Sequence, residues 1–119
     1  MQDCLFCKII KGEIPSYKIY EDEKVIAFLD IHPRKNGHTL IIPKKHYTDF
    51  TELDSEILLH IHMVAKNITT MLEEKLNATG FNINANYLDT QEIKHFHLHI
   101  IPNNQEKLEE VESIYNKLK

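Results

Sequence analysis

The stretch His95-Phe96-His97-Leu98-His99-Ile100-Ile101-Pro102 alternates imidazole and apolar side chains and is closed by a proline. A period of two belongs to an extended strand, so His95, His97 and His99 share one face and Phe96, Leu98 and Ile100 the other. The apolar face demands a core, while the other face holds three of the chain's eight histidines. A merely solvated face is served by polar side chains of any kind, which leaves that row poorly explained as surface. A single poly-histidine metal site fares no better. On a straight strand rising ~3.3 Å per residue the outer two imidazoles stand ~13 Å apart, and one ion bound at ~2 Å by all three would require a sharp bend. Separate tasks for separate imidazoles are therefore expected.

The other segments supply the layers that such a strand needs. At 119 residues, the chain 1–119 is read as a single domain. Spacing predicts a short helix over Cys4–Lys11 stopped by Gly12, a hairpin of strands Tyr17–Tyr20 and Lys24–Ile31 across the turn Glu21-Asp22-Glu23, and a third strand, His38–Pro43. Asp54 caps a long helix reaching Asn77, with Leu53 and Leu58 stapled across the cap and Gly80 as the stop. Ile57, Ile61, Val64, Ile68 and Met71, widened by Leu58, Ala65 and Leu72, form its apolar stripe. Phe81–Tyr87 alternates again, with Asn82, Asn84 and Asn86 on the polar side. Paired antiparallel with the histidine strand across the loop Leu88–Glu92, it sets Asn84 near the level of His97. A last helix is expected over Gln105–Lys119, on Leu108, Val111, Ile114 and Leu118, acidic first and basic last. Together these make an α+β fold with an antiparallel sheet of about five strands, one long helix and short terminal helices.

A net charge of -4 with a pI near 6.0 offers no field for a nucleic acid polymer, though a local pocket can still hold one nucleotide. No apolar run approaches the ~20 residues of a membrane span. The opening Met1-Gln2-Asp3-Cys4 is unlike a secretory leader, so a cytoplasmic location is expected. In that reducing compartment the spacing Cys4-x-x-Cys7 points to metal or redox chemistry before a disulfide. His60 and His62 fall on different helix faces without partners nearby in sequence and are read as non-catalytic. His38 begins an otherwise apolar strand, either as a buried histidine with its hydrogen bond satisfied or as part of a site. Asp30 ends its strand on the face of Ile26 and Phe28, where an acid can simply open the loop. No Mg²⁺ motif and no Gly-rich phosphate loop accompanies these groups, so no catalytic divalent ion is expected.

Three motifs stand in order: Cys4-Leu5-Phe6-Cys7-Lys8-Ile9-Ile10 with Ile14-Pro15 behind it, Gly37-His38-Thr39-Leu40-Ile41-Ile42-Pro43-Lys44-Lys45-His46, and the histidine row. They resemble the motifs of the histidine triad superfamily of nucleotide hydrolases and transferases, most closely its small bacterial members, from about Cys4 to Pro102. The resemblance implies that His97 attacks the α-phosphorus of a purine nucleotide to form a nucleotidyl-histidine that water cleaves. It also implies that His99, assisted by Asn84, holds the phosphate oxygens, and that His38 completes the polar cluster behind the nucleophile. By the same likeness Leu5, Phe6, Ile9, Ile14, Phe28 and Ile31 enclose the base, Asp30 accepts from the ribose hydroxyls, and Gln91 is among the nucleotide-binding groups. Zinc-binding relatives imply a structural zinc on Cys4, Cys7, His46 and His95. A homodimer is implied as well.

The chain departs from this pattern at Thr90-Gln91-Glu92. Thr90 replaces a glycine, and Glu92 stands where some relatives place a serine that contacts the leaving group. A carboxylate there repels a pyrophosphate and favours an amine. The activity implied is that of a purine nucleoside phosphoramidase. Hydrolysis of dinucleoside polyphosphates, or a zinc-stabilised nucleotide-binding regulatory module with little catalysis, are the alternatives.

Overall fold

The structure, a computed structural model, describes residues 4–119, so Met1, Gln2 and Asp3 of the opening stretch lie outside it. Strands β1 (Lys18–Glu21), β2 (Val25–Leu29), β3 (Thr39–Pro43), β4 (Gly80–Asn84) and β5 (Leu98–Asn103) form one antiparallel sheet in the order β1-β2-β3-β5-β4. Helices α1 (Leu5–Ile10), α2 (Ser55–Leu76) and α3 (Val111–Leu118) complete the expected α+β fold. Among the described residues no helix is long and apolar enough to cross a membrane.

β2 and β3 are buried along their whole length because both of their faces are covered. Val25, Ala27, Leu29, Ile41, Leu98 and Ile100 join a core with Ile61, Val64, Ala65, Ile68, Leu72 and Leu76 of α2 and with Ile114 and Leu118 of α3. Ile26, Phe28, Leu40 and Ile42 face the other way and pack with Phe6 of α1. This second cover keeps the imidazole side of the histidine row out of water: His95 is fully buried and His97 only 7% exposed.

α2 is capped by the expected Asp54, and α1 follows Cys4, the first residue of the helix expected there. Asp54 Oδ1 accepts from Ile57 N at 2.9 Å, and Cys4 Sγ accepts from Cys7 N at 3.3 Å, each supplying a partner to an amide that the first turn leaves open. Gly12, at φ +79°, follows α1 as expected. Before β3, a Cβ on Gly37 would lie 2.6 Å from Leu76 Cδ1, and the φ there is +90°; close approach and backbone conformation both require glycine.

Several boundaries differ from expectation, each for a local reason. α2 is stopped by Asn77, in the left-handed conformation at φ 55°, and Gly80 is the first residue of β4. Leu58, placed on the buried stripe and in the staple, is exposed, while Leu53 and Ile57 pack against the core. β4 ends at Asn84, with Asn84 opposite His99, two residues past the expected level of His97. β5 begins only at Leu98, because Phe96 N donates to Tyr47 O at 2.7 Å instead of joining the ladder. Pro102 does not close β5, which runs to Asn103; β3 pairing ends at Ile100, so the proline's missing N–H falls where only β4 is a neighbour. α3 starts at Val111, since the preceding segment is held as a strap by Asn36, whose Nδ2 donates to Lys107 O at 2.9 Å and whose Oδ1 accepts from Glu109 N at 2.8 Å. Leu108 is left exposed.

Candidate active site and metal centre

α1, the loop behind it, the end of β2 and the start of β5 enclose a cavity of about 360 Å³. Nine of the expected nucleotide-binding residues line it: Leu5, Phe6, Ile9, Ile14, Phe28, Asp30, Ile31, His97 and His99, together with His38. Asn84 and Gln91 are not on its wall. Asn84 is exposed on the edge strand, and Gln91 is buried with its amide donating to Thr48 O. Asn86, Arg34 and Glu92 line it instead. Asn86 belongs to the same alternation as Asn84, so a β4 that ends early is what moves the wall residue two places on.

The hydrogen bonds decide which nitrogen of each imidazole is free. His97 Nδ1 lies 2.8 Å from His95 O; a carbonyl only accepts, so Nδ1 carries the proton and Nε2 keeps its lone pair. His38 Nδ1 accepts from Arg34 N at 3.1 Å, which puts the His38 proton on Nε2, 3.0 Å from His99 Nδ1. His99 therefore accepts at Nδ1 and carries its proton on Nε2, and that atom is buried with no partner. Burial holds His38, His97 and His99 below the ordinary imidazole value, His99 at about 4. Like charge from His97 and His38 adds to the shift at His99, while the Asp30 carboxylate opposes it. All three rings are neutral at pH 7, as this tautomer chain requires. Ligand atoms of Asp30, His38 and His99 lie within 4.8 Å of one another, yet the proton on His38 Nε2 leaves no lone pair there for a cation.

The other end of the row is arranged in the opposite sense. His95 Nε2 lies 2.9 Å from Pro43 O and so donates, which turns the Nδ1 lone pair toward Cys4 Sγ at 3.4 Å and Cys7 Sγ at 3.5 Å. His46 Nδ1 is 3.3 Å from Cys7 Sγ, and the four donor atoms lie within 4.8 Å of one another. Burial lowers His95 to about 4 and, with the Cys4 hydrogen bond and charge, pushes Cys7 up to about 11. Two sulfurs and two neutral imidazole nitrogens are the donor set of a tetrahedral metal site, and a metal would supply the charge that turns these thiols into thiolates. The expected ligands Cys4, Cys7, His46 and His95 thus do converge, apart from the cavity imidazoles.

Phe6, between the two cysteines, packs edge-on against His97 and His95 with ring centroids 4.9 and 5.9 Å away. α1 and its cap consequently carry both cysteines of the cluster and part of the cavity wall. His60 and His62 do neither job. His60 Nε2 meets Asp22 Oδ2 at 2.7 Å, tying α2 to the β1–β2 turn, and His62 Nδ1 meets Leu58 O at 2.9 Å. What the cavity can do chemically is attack through His97 Nε2 beside a free N–H on His99, against an apolar wall that suits a flat ring.

A family model described as the HIT domain matches residues 11–106. An uncharacterised HIT-like protein of Methanocaldococcus jannaschii is 51% identical over 102 residues, covering 83% of this chain and 78% of its own. Adenosine 5'-monophosphoramidase HNT1 of Saccharomyces cerevisiae is 41% identical over 104 residues, covering 87% of this chain and 65% of its own. Among solved structures, a zinc-bound histidine triad family protein from Mycobacterium smegmatis superposes with a TM-score of 0.87 at 34% identity, covering 98% of this chain and 94% of that one.

Proposed function

Because this chain belongs to the HIT, or histidine triad, family, we propose that it is a purine nucleoside phosphoramidase. His97 Nε2 forms a bond to the α-phosphorus. The P–N bond to the amine breaks, and the amine nitrogen leaves with the electron pair and takes up a proton from solvent. Water then attacks phosphorus, loses a proton, and returns the lone pair to His97, so that a phosphoramidate and water give an amine and a nucleoside monophosphate. His99 Nε2–H donates to a non-bridging oxygen as its charge grows. His38 holds His99 in the tautomer that can donate, the base lies between Phe6, Ile9 and Phe28, and Asp30 accepts from the ribose. Asn84, opposite His99 at the end of β4, reaches the phosphate only if the edge closes on substrate, and Gln91 acts through the backbone of its loop rather than on the nucleotide.

The observation that carries this reading is the pairing of a lone pair on His97 Nε2 with an unpartnered proton on His99 Nε2. The likeness to a yeast adenosine 5'-monophosphoramidase supports the choice of substrate. Dinucleoside polyphosphates are the weaker fit, since among the described residues the wall sets Asp30 and Glu92 against one cation, Arg34. We further propose that Cys4, Cys7, His46 and His95 hold a structural zinc, consistent with the zinc-bound relative, in a reducing cytoplasm. The exposed Leu59 and Met63 of α2 and Ile83 of edge strand β4 support a homodimer, which sedimentation at micromolar concentration tests.

Mass spectrometry of a single turnover with an adenosine phosphoramidate tests the chemistry. A nucleotidyl adduct on His97 is expected, analysed without acid because the bond is acid-labile. An adduct on another residue removes this mechanism. Nucleotide binding without any adduct leaves a zinc-stabilised binding module.

A further inference from the structure

Glu92 is a charged group of the cavity wall that neither the nucleoside nor the phosphate uses. Glu92 lines the cavity, and among the described residues it makes no hydrogen bond or ion pair; Lys94, two residues on, is spent on Leu88 O at 2.9 Å. The other wall carboxylate, Asp30, is partly committed, with Oδ1 accepting from His32 N at 2.8 Å. The two arise on different segments: Asp30 follows β2 beside the apolar base wall, whereas Glu92 and Ile93 come from the loop before the histidine row. A nucleoside seated against Phe6, Ile9 and Phe28 leaves the Glu92 side to whatever departs from phosphorus. With neutral imidazoles around it and Arg34 facing two wall carboxylates, Glu92 leaves the cavity with net negative charge that acts on the leaving group.

We propose that Glu92 is a specificity-determining residue that selects phosphoramidates whose departing amine carries a second, positively charged amine. The proposal rests on the phosphoramidase reading and names its substrate class. Three ammonium donors suit an unpaired carboxylate, and the side chain is exposed, so the preference is moderate and sensitive to salt.

The test compares adenosine 5'-phosphoramidates of 1,3-diaminopropane and n-butylamine, which differ in an ammonium against a methyl at the same length. In wild type the ratio of kcat/KM, diamine over butylamine, should be about five at low ionic strength, the scale of an exposed ion pair, and fall toward one in concentrated salt. Glu92→Gln should bring it to about one at either salt, and Glu92→Lys below one. Because both substrates use the same His97, the ratio cancels any change that the variant causes in the nucleophile. The salt series on wild type needs no variant, which keeps the test decisive if either substitution folds poorly. A wild-type ratio of one at low salt, or a ratio that survives in Glu92→Gln, overturns the proposal and leaves the phosphoramidase reading standing. Hydrolysis of neither compound overturns both.

Discussion

His95 and His97 lie two residues apart on one face of the same segment, yet present opposite nitrogens. At His95 the Nε2 proton goes to Pro43 O and Nδ1 turns to the thiols; at His97 the Nδ1 proton goes to His95 O and Nε2 turns to the cavity. Residue type and burial are nearly the same in both. What differs is which carbonyl the ring can reach, so the backbone leaves one imidazole's lone pair facing the two thiols and the other's facing the cavity.

The most severe way to break this contrast is at the cavity end. His97→Ala should abolish the nucleotidyl adduct while leaving nucleotide affinity within about tenfold, or ~1.4 kcal/mol, because Asp30 and the apolar wall are untouched; trapping experiments and titration with a nucleoside monophosphate read the two quantities. His99→Ala should slow adduct formation by about 10²–10³, the usual cost of losing one aimed donor, with the intermediate still detectable in rapid quench. Equal losses for the two variants would show that they act as one unit.

At the metal end the effect should appear in stability. Chelation, or Cys4→Ser, should lower the melting temperature by about 10 °C while changing the single-turnover rate less than tenfold, as expected of a metal coupled to folding. Metal analysis showing no zinc in protein purified without chelator, together with an unchanged melt for Cys4→Ser, would sink the assignment. A rate that falls in step with the melt would instead show that the His95 carbonyl transmits the metal's loss to His97.

The smallest expected effect is on pH dependence. His38 and His99 are held below 6.5 by burial, so the unfolded chain takes up protons that the folded chain refuses. Their contribution to stability is therefore present above pH 6.5 and lost as pH falls toward 4. For His99, held at about 4, it amounts to on the order of 3 kcal/mol between those values, since each tenfold difference in proton affinity between the folded and unfolded chain is worth ~1.36 kcal/mol. Urea midpoints at pH 7, 5.5 and 4.5 measure it; a midpoint that rises on acidification contradicts the neutral tautomer chain.

The cysteine pair and the imidazole row are legible in the sequence because each is a short spacing, Cys4-x-x-Cys7 and the period of two from His95 to His99, whereas His46 and His95 as ligands and the apolar wall are implied only by the resemblance to the family's motifs. The misplacement of Asn84 has another origin. Its level depends on where β4 ends and where β5 begins, and the latter is decided by a bond from Phe96 N to Tyr47 O across the fold. Gln91 turns to Thr48 O for the same kind of reason. The start of α3 depends on Asn36, remote in sequence, capturing the strap. Local spacing carries none of these contacts.

The bond from His97 Nδ1 to the carbonyl two residues back also limits how such a chain can change through descent. An inserted or deleted residue between His95 and His97 would reverse the faces of everything beyond it, exchanging the cavity-facing imidazole for an apolar side chain while separating it from its carbonyl. Substitution is open to this segment and length change is not, whereas the loop containing Glu92 carries no such parity. That loop's length can vary, and with it the cavity wall around Glu92, while His97 and its carbonyl are inherited unaltered.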